Sequence, residues 1–281
     1  MAPTCRLCNG GVFNTKYTYN DCKVVCCDSC GLIQVAGASD TSEIYTETYF
    51  GHDKLCGPAN HLEQKRRLRW LLRCGLKPGM SLLDAGCATG EFLSLAVRNY
   101  HVRGIDISSF AIDQASRNYP ILRDKLKSGP LEEIAFEDAV FDAIVMWDVI
   151  EHLQRPRQVL RRLIKQLKPG GLFCVSTPNI GTFAAALLGR RWPFMTPPEH
   201  QCFFNTNTLS RLMNELGLEK IDYVNKGKWV NLRFLLYKIE RVFPGSMAKG
   251  IIQKIMPMLP EKLLVYAPSG DVLYSGFRLI A

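Results

Sequence analysis

Leu82-Leu83-Asp84-Ala85-Gly86-Cys87-Ala88-Thr89-Gly90-Glu91-Phe92 reads as a hydrophobic strand that ends in an acidic, glycine-hinged turn and runs straight into a helix. Gly86 and Gly90 let the backbone turn tightly and approach a ligand where any Cβ would intrude. Asp84 narrows the choice of ligand. A G-x-G-x-x-G loop offers backbone N–H groups to a pyrophosphate, and a carboxylate two residues ahead of its first glycine would be a poor neighbour for that group. S-adenosylmethionine carries an ammonium, a sulfonium and no phosphate, so the same carboxylate favours it. Asp84, Gly86, Cys87 and Gly90 are the expected cofactor residues of this turn.

Val102-Arg-Gly-Ile-Asp106-Ile107-Ser108 reads as the next strand. Asp106 ends it, about 20 residues beyond the glycine turn, the spacing at which an acid takes ribose hydroxyls, and Ile107 belongs to the same expected set. Taken singly, Asp84 can cap a turn and Asp106 can cap the helix from Ser108 onward. Both at this spacing, after two apolar strands, favour a nucleoside gripped by two carboxylates.

From this turn onward, strands and helices alternate, the pattern of an α/β parallel sheet covered on both faces. Strands are expected near Leu82–Ala85, Val102–Ile107, Lys125–Ser128, Phe141–Trp147 and Leu172–Ser176. Val159, Leu160, Leu163, Ile164 and Leu167 repeat at helical spacing, and Lys168-Pro169-Gly170-Gly171 is expected to stop that helix. The apolar, turn-rich excursion from Asn179 to Phe204, with a helix over Thr182–Leu188, has the length of a lid or substrate wall. A helix over Thr206–Leu216, a strand near Leu218–Tyr223, two or three helices within 231–264 and a closing strand over Asp271–Leu279 complete the expectation.

The chain has 281 residues, 47% hydrophobic and 22% charged, suited to one large soluble α/β domain plus a small appendage. Its start lacks a basic, then apolar, leader pattern, and no apolar run approaches the 18 or so residues needed to span a bilayer, so a cytoplasmic protein is expected. The net charge of +9 suits an anionic partner: nucleic acid, a phosphorylated small molecule or an acidic membrane. The densest basic run, Lys65-Arg66-Arg67-Leu68-Arg69, shares a helix with Leu62, Leu68, Leu71 and Leu72 and is read as that helix's solvated face.

Six of the eleven cysteines fall in the first thirty residues. Cys5-x2-Cys8-x18-Cys27-x2-Cys30 is the spacing of two zinc-ribbon knuckles, whose four thiolates satisfy tetrahedral Zn²⁺ and leave no open position, so a structural zinc is expected. Cys22 and Cys26 are spare, and either can replace a named ligand. Residues 1–58 are read as this lobe and a linker containing Tyr45, Tyr49 and Phe50. Residues 59–281 are read as the α/β domain, with 179–204 inserted in it.

Asp142-Ala-Ile-Val-Met-Trp147-Asp148-Val-Ile-Glu151-His152 delivers Trp147, Asp148, Glu151 and His152 to the carboxyl edge of the sheet, where ligands of open α/β sheets bind. Trp147 and Asp148 are expected at the cofactor's methionine end and His152 as a base. Glu151 suits that site and the first turn of a helix equally. His200, flanked by prolines and aromatics, is the second candidate base. Arg190, Arg191 and Trp192 are candidates to receive a phosphate or carboxylate of a substrate.

In order, Cys5/Cys8, Cys27-Asp-Ser-Cys30, Glu47-Thr-Tyr49-Phe50, Asp84-Ala-Gly-Cys-Ala-Thr-Gly90, Gly104-Ile-Asp106, Trp147-Asp-Val-Ile-Glu-His-Leu153, Lys168-Pro-Gly-Gly171, Thr177-Pro-Asn179, Leu188-Gly-Arg-Arg-Trp-Pro193 and Pro198-Glu-His200 resemble class I S-adenosylmethionine-dependent methyltransferases. Within that family they are similar to the ubiquinone-methyltransferase-like branch with an amino-terminal zinc-binding lobe. The resemblance implies a Rossmann-like seven-stranded sheet whose last strand runs antiparallel. It implies cofactor contacts at Asp84, Gly86, Gly90 and Asp106, and adenine contacts from Ser128-Gly129-Pro130-Leu131-Glu132, hence Gly129 and Leu131. Pro130 stands where many relatives have an acid, and Ala88 where many have glycine.

The expected reaction is O-methylation of a small molecule, a sugar or other cell-envelope or secondary-metabolite precursor, with His200 or His152 as base. The alternatives are an rRNA base methyltransferase using the zinc lobe to bind RNA, and a non-catalytic cofactor-binding scaffold. Leu232, Leu235, Leu236, Ile239 and Val242, flanked by Arg233, Lys238 and Arg241, form a stripe that suits peripheral membrane contact or, more commonly, packing against the sheet.

Overall fold

A computed structural model describes residues 4–19, 22–37, 58–133, 136, 140–242, 250, 252, 254–260 and 263–280. The expected linker residues Tyr45, Tyr49 and Phe50 lie outside them.

The central strands are β4 (Ser81–Ala85), β5 (His101–Asp106), β6 (Leu126–Ser128), β7 (Phe141–Trp147) and β8 (Leu167–Pro178), all parallel. β10 (Leu218–Asn231) and β11 (Leu264–Leu279) complete a seven-stranded sheet of order β10-β11-β8-β7-β4-β5-β6. β11 alone runs against its neighbours, pairing antiparallel with both β8 and β10. The chain moves outward from β4 to β6 and then returns to β7 on β4's other side, so the crevice at the carboxyl ends of β4 and β7 is the topological switch point.

The near-continuous apolar runs of the inner strands follow from burial on both faces. On β4, Leu82 faces one layer and Leu83 the other, and on β7 Ala143, Val145 and Trp147 alternate with Ile144 and Met146. α1 (Pro58–Cys74) and α2 (Glu91–Ala96) cover the Leu82 side with Trp70, Leu71, Phe92 and Leu93. α4 (Pro156–Ile164) and α6 (Thr206–Asn214) cover the Leu83 side with Val159, Leu160, Leu163, Leu209 and Leu212. α3 (Ser109–Asn118) follows β5, its N-cap Ser108 accepting from the Ala111 N–H at 3.3 Å.

β1 (Phe13–Thr18), β2 (Lys23–Cys27) and β3 (Ile33–Val35) make an antiparallel meander. Its fourth strand is β9 (Cys202–Phe203), from the end of the insertion, paired with β3. Val24, Ile33 and Val35 pack on Ala185, Trp192 and Met195, so the lobe and the insertion share one core. Ala185 belongs to α5 (Phe183–Leu188), which starts at the N-cap Thr182.

Three expectations are corrected. Lys168–Gly171 lie inside β8 instead of ahead of it, looped out where the register with β7 shifts between Phe141↔Leu167 and Ala143↔Leu172. β10 and β11 continue past the expected strand ends as a two-stranded arm, Asn231 pairing with Leu264, with a register shift at Gly227 where a Cβ would collide with the Ala267 carbonyl. On α1 the residues facing the core are Glu63, Gln64, Arg67, Trp70, Leu71 and Cys74, while Leu62 and Leu72 are exposed. Arg67 is therefore buried, not solvated.

α7 (Leu232–Val242) follows β10; Val242 is buried, Ile239 exposed, and the side chains of Lys238 and Arg241 lie outside the described residues. Among the described residues no helix is long and apolar enough to cross a membrane.

Candidate active site

The glycine turn adopts the conformation its residues require. Gly86 and Gly90 have φ of 93° and 77°, and Ala88 sits at 45°. A Cβ on Gly86 would run into Val149, and one on Gly90 would lie 2.9 Å from the Ala115 Cβ and 3.2 Å from Leu122 Cδ1. Both glycines thus serve close packing of the turn against neighbouring elements. The Gly86 and Cys87 N–H groups donate to the Ile105 carbonyl at 2.7 and 3.0 Å, tying the turn to β5.

Asp106 accepts the Ala88 N–H on Oδ2 at 2.8 Å and the Ser108 N–H on Oδ1 at 3.0 Å. Its carbonyl accepts the Gly129 N–H at 2.8 Å, which brings the turn after β6 against the end of β5. Leu131 is buried beyond it, and Ile107 leaves an exposed apolar side chain at the rim. Asp84 is 2% exposed and its Oδ1 has no hydrogen-bond partner. Burial pushes its carboxyl up to about 7, Arg67 opposing the rise and Asp106 adding to it. Burial also raises Asp106.

Asp148 follows β7 with φ 56°. Its Oδ2 accepts from Arg67 Nη2 at 2.7 Å and Lys228 Nζ at 2.9 Å, and its Oδ1 accepts from Ser176 Oγ at 2.8 Å. Burial works against ionisation, yet the charges of Lys228 and Arg67 hold this carboxyl far below the usual range. The Arg67 guanidinium lies over the Trp147 ring at 5.4 Å, and Trp147 meets Phe92 edge-on at 5.7 Å. Lys228 comes from the unexpected arm of β10. Tyr274 of β11 hydrogen-bonds to Glu63, which pairs with Arg66, so α1 is fastened to the sheet by a buried polar cluster.

Glu151 and His152 occupy a 3-10 turn, Ile150–His152, directly after β7. His200 reaches them from the insertion: the two imidazole centroids are 4.8 Å apart, edge to face. Nδ1–H of His152 donates to the Glu199 carbonyl at 3.0 Å and that of His200 to the Phe194 carbonyl at 2.8 Å, since a carbonyl only accepts. In each neutral ring Nε2 carries the lone pair. Burial disfavours protonation of both rings, lowering His152 and taking His200 down to about 3, with His152 as a further cause for His200. Glu151 is 2% exposed, its Oε2 is unpartnered, and burial with the Asp148 charge beside it pushes its carboxyl up to about 8.

In the lobe, Cys5, Cys8, Cys27 and Cys30 bring four sulfurs within 4.8 Å of one another. Cys5 Sγ and Cys30 Sγ are 3.4 Å apart, Cys8 Sγ and Cys27 Sγ 3.6 Å, close to the roughly 3.8 Å edge of a tetrahedron with zinc–sulfur bonds of about 2.3 Å. Against the cost of burial, the backbone N–H groups of Cys30 and Ser29 and the thiols of Cys8 and Cys5 bring Cys27 down to about 7. These residues fit a structural metal. Cys22 and Cys26 pack instead against the Trp192 cluster. Trp192 is itself core, and Arg190 stacks over Tyr19 at 5.5 Å with an exposed side chain, so these two belong to the junction of lobe and insertion.

Arg67, Lys228, Ser176 and Tyr274 escaped the sequence reading. Arg67 was open to discovery: it lies three residues before Trp70 and four before Leu71, on their face of the helix, and a charge in a core register signals a buried partner.

A sheet with one antiparallel strand, switching direction beside an acidic glycine turn, defines the class I methyltransferase architecture. A family model described as a methyltransferase domain matches residues 59–223. A probable S-adenosylmethionine-dependent methyltransferase of Mycolicibacterium smegmatis is 34% identical over 189 residues, covering 66% of this chain and 69% of that protein. The ubiquinone biosynthesis O-methyltransferase of Cereibacter sphaeroides is 30% identical over 159 residues, 51% of this chain and 62% of that one. Among solved structures, the N-methyltransferase NodS of Bradyrhizobium japonicum with bound S-adenosylhomocysteine superposes with a TM-score of 0.55 at 18% identity, over 85% of this chain and 99% of its own. The chain belongs to the methyltransferase-domain family and is an S-adenosylmethionine-dependent methyltransferase.

Proposed function

We propose that this methyltransferase acts on a hydroxyl oxygen of a small molecule, such as a sugar, cell-envelope or secondary-metabolite precursor. The cofactor half of the proposal rests on Asp84. A carboxylate oxygen this buried and without a partner is costly unless a ligand supplies a donor, and the ammonium of S-adenosylmethionine is such a donor. Gly86, Cys87 and Gly90 would line that methionine end. Each Asp106 oxygen keeps a second lone pair for a ribose hydroxyl, with Ile107, Gly129 and Leu131 on the adenine side. Trp147 and Asp148 would floor the site, where Arg67 and Lys228 suit the donor's carboxylate.

Bound there, the cofactor supplies an electrophilic methyl on a sulfonium sulfur. The protein's task is alignment and exclusion of water. The insertion serves this, because the Gln201 N–H donates to the Glu151 carbonyl at 2.7 Å and the Glu199 carbonyl receives His152, closing the strap onto the turn after β7. An oxygen acceptor is supported by the relative named as an O-methyltransferase. The four lobe cysteines would hold zinc as a structural element and supply folding energy to a lobe too small to fold on its own core.

Calorimetry with S-adenosylmethionine and its demethylated product, on the wild type and Asp84→Asn, tests the cofactor half; heat that survives the substitution unchanged removes Asp84 from the site. Transfer of labelled methyl to hydroxylated small molecules, alongside amines and rRNA fragments, tests the acceptor half. Label in RNA or only in amines overturns it.

A further inference from the structure

We propose that Glu151, His152 and His200 form a second metal site, for a divalent first-row cation bound through two imidazole nitrogens and one carboxylate oxygen. Their ligand atoms lie within 4.8 Å of one another, and they come from two separate elements, the turn after β7 and the insertion. Both imidazoles already hold the tautomer that metal-bound histidines need. Each gives its Nδ1 hydrogen to a backbone carbonyl, Glu199 for one ring and Phe194 for the other, which fixes the tautomer with the lone pair on Nε2. Glu151 adds a nearly inaccessible carboxylate whose Oε2 makes no hydrogen bond at bonding distance, although the Thr177 hydroxyl acts on the carboxyl. Such an oxygen calls for a proton or a cation.

The donor set selects the ion. Two imidazoles and a carboxylate without thiolate suit zinc, iron, cobalt or nickel better than magnesium or calcium, and three protein ligands leave positions open. The four-thiol site of the lobe differs on both counts. The surrounding charge is compatible: Asp148 is already paired with Arg67 and Lys228, which leaves the carboxylate of Glu151, with the Glu199 charge acting on His152, to balance the cation.

Its chemical use rests on the hydroxyl-methylating reading above. An acceptor hydroxyl coordinated at an open position loses its proton to water as the oxygen–metal bond forms, because the cation lowers its pKa. That oxygen then bonds to the methyl carbon while the carbon–sulfur bond breaks, its electron pair staying on sulfur. This supplies a nucleophile without either histidine accepting a proton.

The test is metal stoichiometry on the full chain. After equilibration with Zn²⁺ and removal of excess, mass spectrometry of the wild type should find two equivalents, and His200→Ala or Glu151→Gln only one. Titration with Co²⁺ assigns them: one equivalent with intense thiolate-to-cobalt charge-transfer bands, from the cysteine site, and a second with weak ligand-field bands only. A wild type that takes up cobalt only with the thiolate signature overturns the proposal, whatever the variants do. Where His200→Ala fails to fold, His152→Asn must abolish the second signature, and retention of it is equally fatal. Donor binding and hydroxyl methylation by a chain without the second metal would sink this site and leave the functional reading standing. A second metal with no methylated hydroxyl would do the reverse.

Discussion

Arg67 and Asp148, 81 residues apart in sequence, meet at 2.7 Å between Nη2 and Oδ2 at the carboxyl edge of the sheet. Neither is placed there by local propensity. α1 precedes the whole sheet and lies across its Leu82 face, and the same register that buries Trp70 and Leu71 carries Arg67 to the switch point. There the guanidinium lies over the Trp147 ring and balances a carboxylate that Lys228 approaches from the far edge of the sheet.

Arg67→Ala should cost about 1–3 kcal/mol of stability, because it removes one of two cations from a buried carboxylate. Lys228 keeps Asp148 paired, so the loss should stay short of that for a fully orphaned charge. Arg67→Lys should recover only part, since an ammonium neither stacks on Trp147 nor presents a planar fork. Urea melts of the three proteins check the order wild type, lysine variant, alanine variant; an alanine variant as stable as the wild type contradicts it.

The pH dependence of donor binding follows from Asp84. Its carboxyl is raised from 3.8 to about 7 in the folded chain, so between those values the folded state holds a proton that the unfolded state has lost. This group therefore makes the ligand-free protein less stable as pH rises through that window, with no further change above it. An ammonium ligand needs the ionised form. Donor affinity should rise about tenfold per pH unit up to neutrality and then level off, with proton release on binding below pH 7. Calorimetry in buffers of different ionisation enthalpy measures that proton, and Asp84→Asn should abolish most of it. Affinity independent of pH in the wild type would contradict the assignment.

The sheet and its acidic edge were legible because they rest on local signals: apolar runs of strand length, two positive-φ glycines and two carboxylates at the ends of adjacent strands. Lys228 was not. The arm of β10 beyond Tyr223 mixes exposed and half-buried residues and owes its strand form to pairing with β11, which lies some forty residues onward. α1 misled for a different reason. Its leucines at 62 and 72 suggested one face, whereas Glu63, Gln64 and Arg67 occupy the true core register because partners such as Tyr274 and Asp148 satisfy them there. The meeting of His152 with His200 was likewise hidden. Each looked like a lone candidate until the insertion folded back along β3.

Gly86→Ala should be strongly destabilising for two separable reasons. The position has φ 93°, which strains any L residue by about 1–3 kcal/mol, and the new Cβ collides with Val149. Val149→Ala removes the collision but not the backbone strain. The double variant should therefore be more stable than the sum of the two single losses implies, and still less stable than Val149→Ala alone. Additive losses in denaturant melts would show that the close approach to Val149 is not felt.

Arg6 links the cysteine knuckle to the proposed acceptor side. It lies between Cys5 and Cys8, and its guanidinium donates to five oxygens: the carbonyls of Gln154, Val35, Gln201 and Gly37, at 2.7 to 3.0 Å, and Gln201 Oε1 at 2.9 Å. Two of these acceptor residues sit next to the histidines, Gln154 two positions after His152 and Gln201 immediately after His200. Arg6→Ala should therefore loosen the strap closed over the site while leaving the carboxylates of β4 and β5 untouched. Turnover should fall by an order of magnitude or so, about 1–2 kcal/mol in barrier, with donor affinity kept within about twofold. Hydrogen exchange should rise at the Gln201 N–H, which bonds to the Glu151 carbonyl, before it rises in β4. Arg6→Lys should behave like the alanine variant, since one ammonium cannot serve five acceptors in a plane. Equal loss of donor binding and turnover would mean that the lobe supports the whole sheet and not this strap.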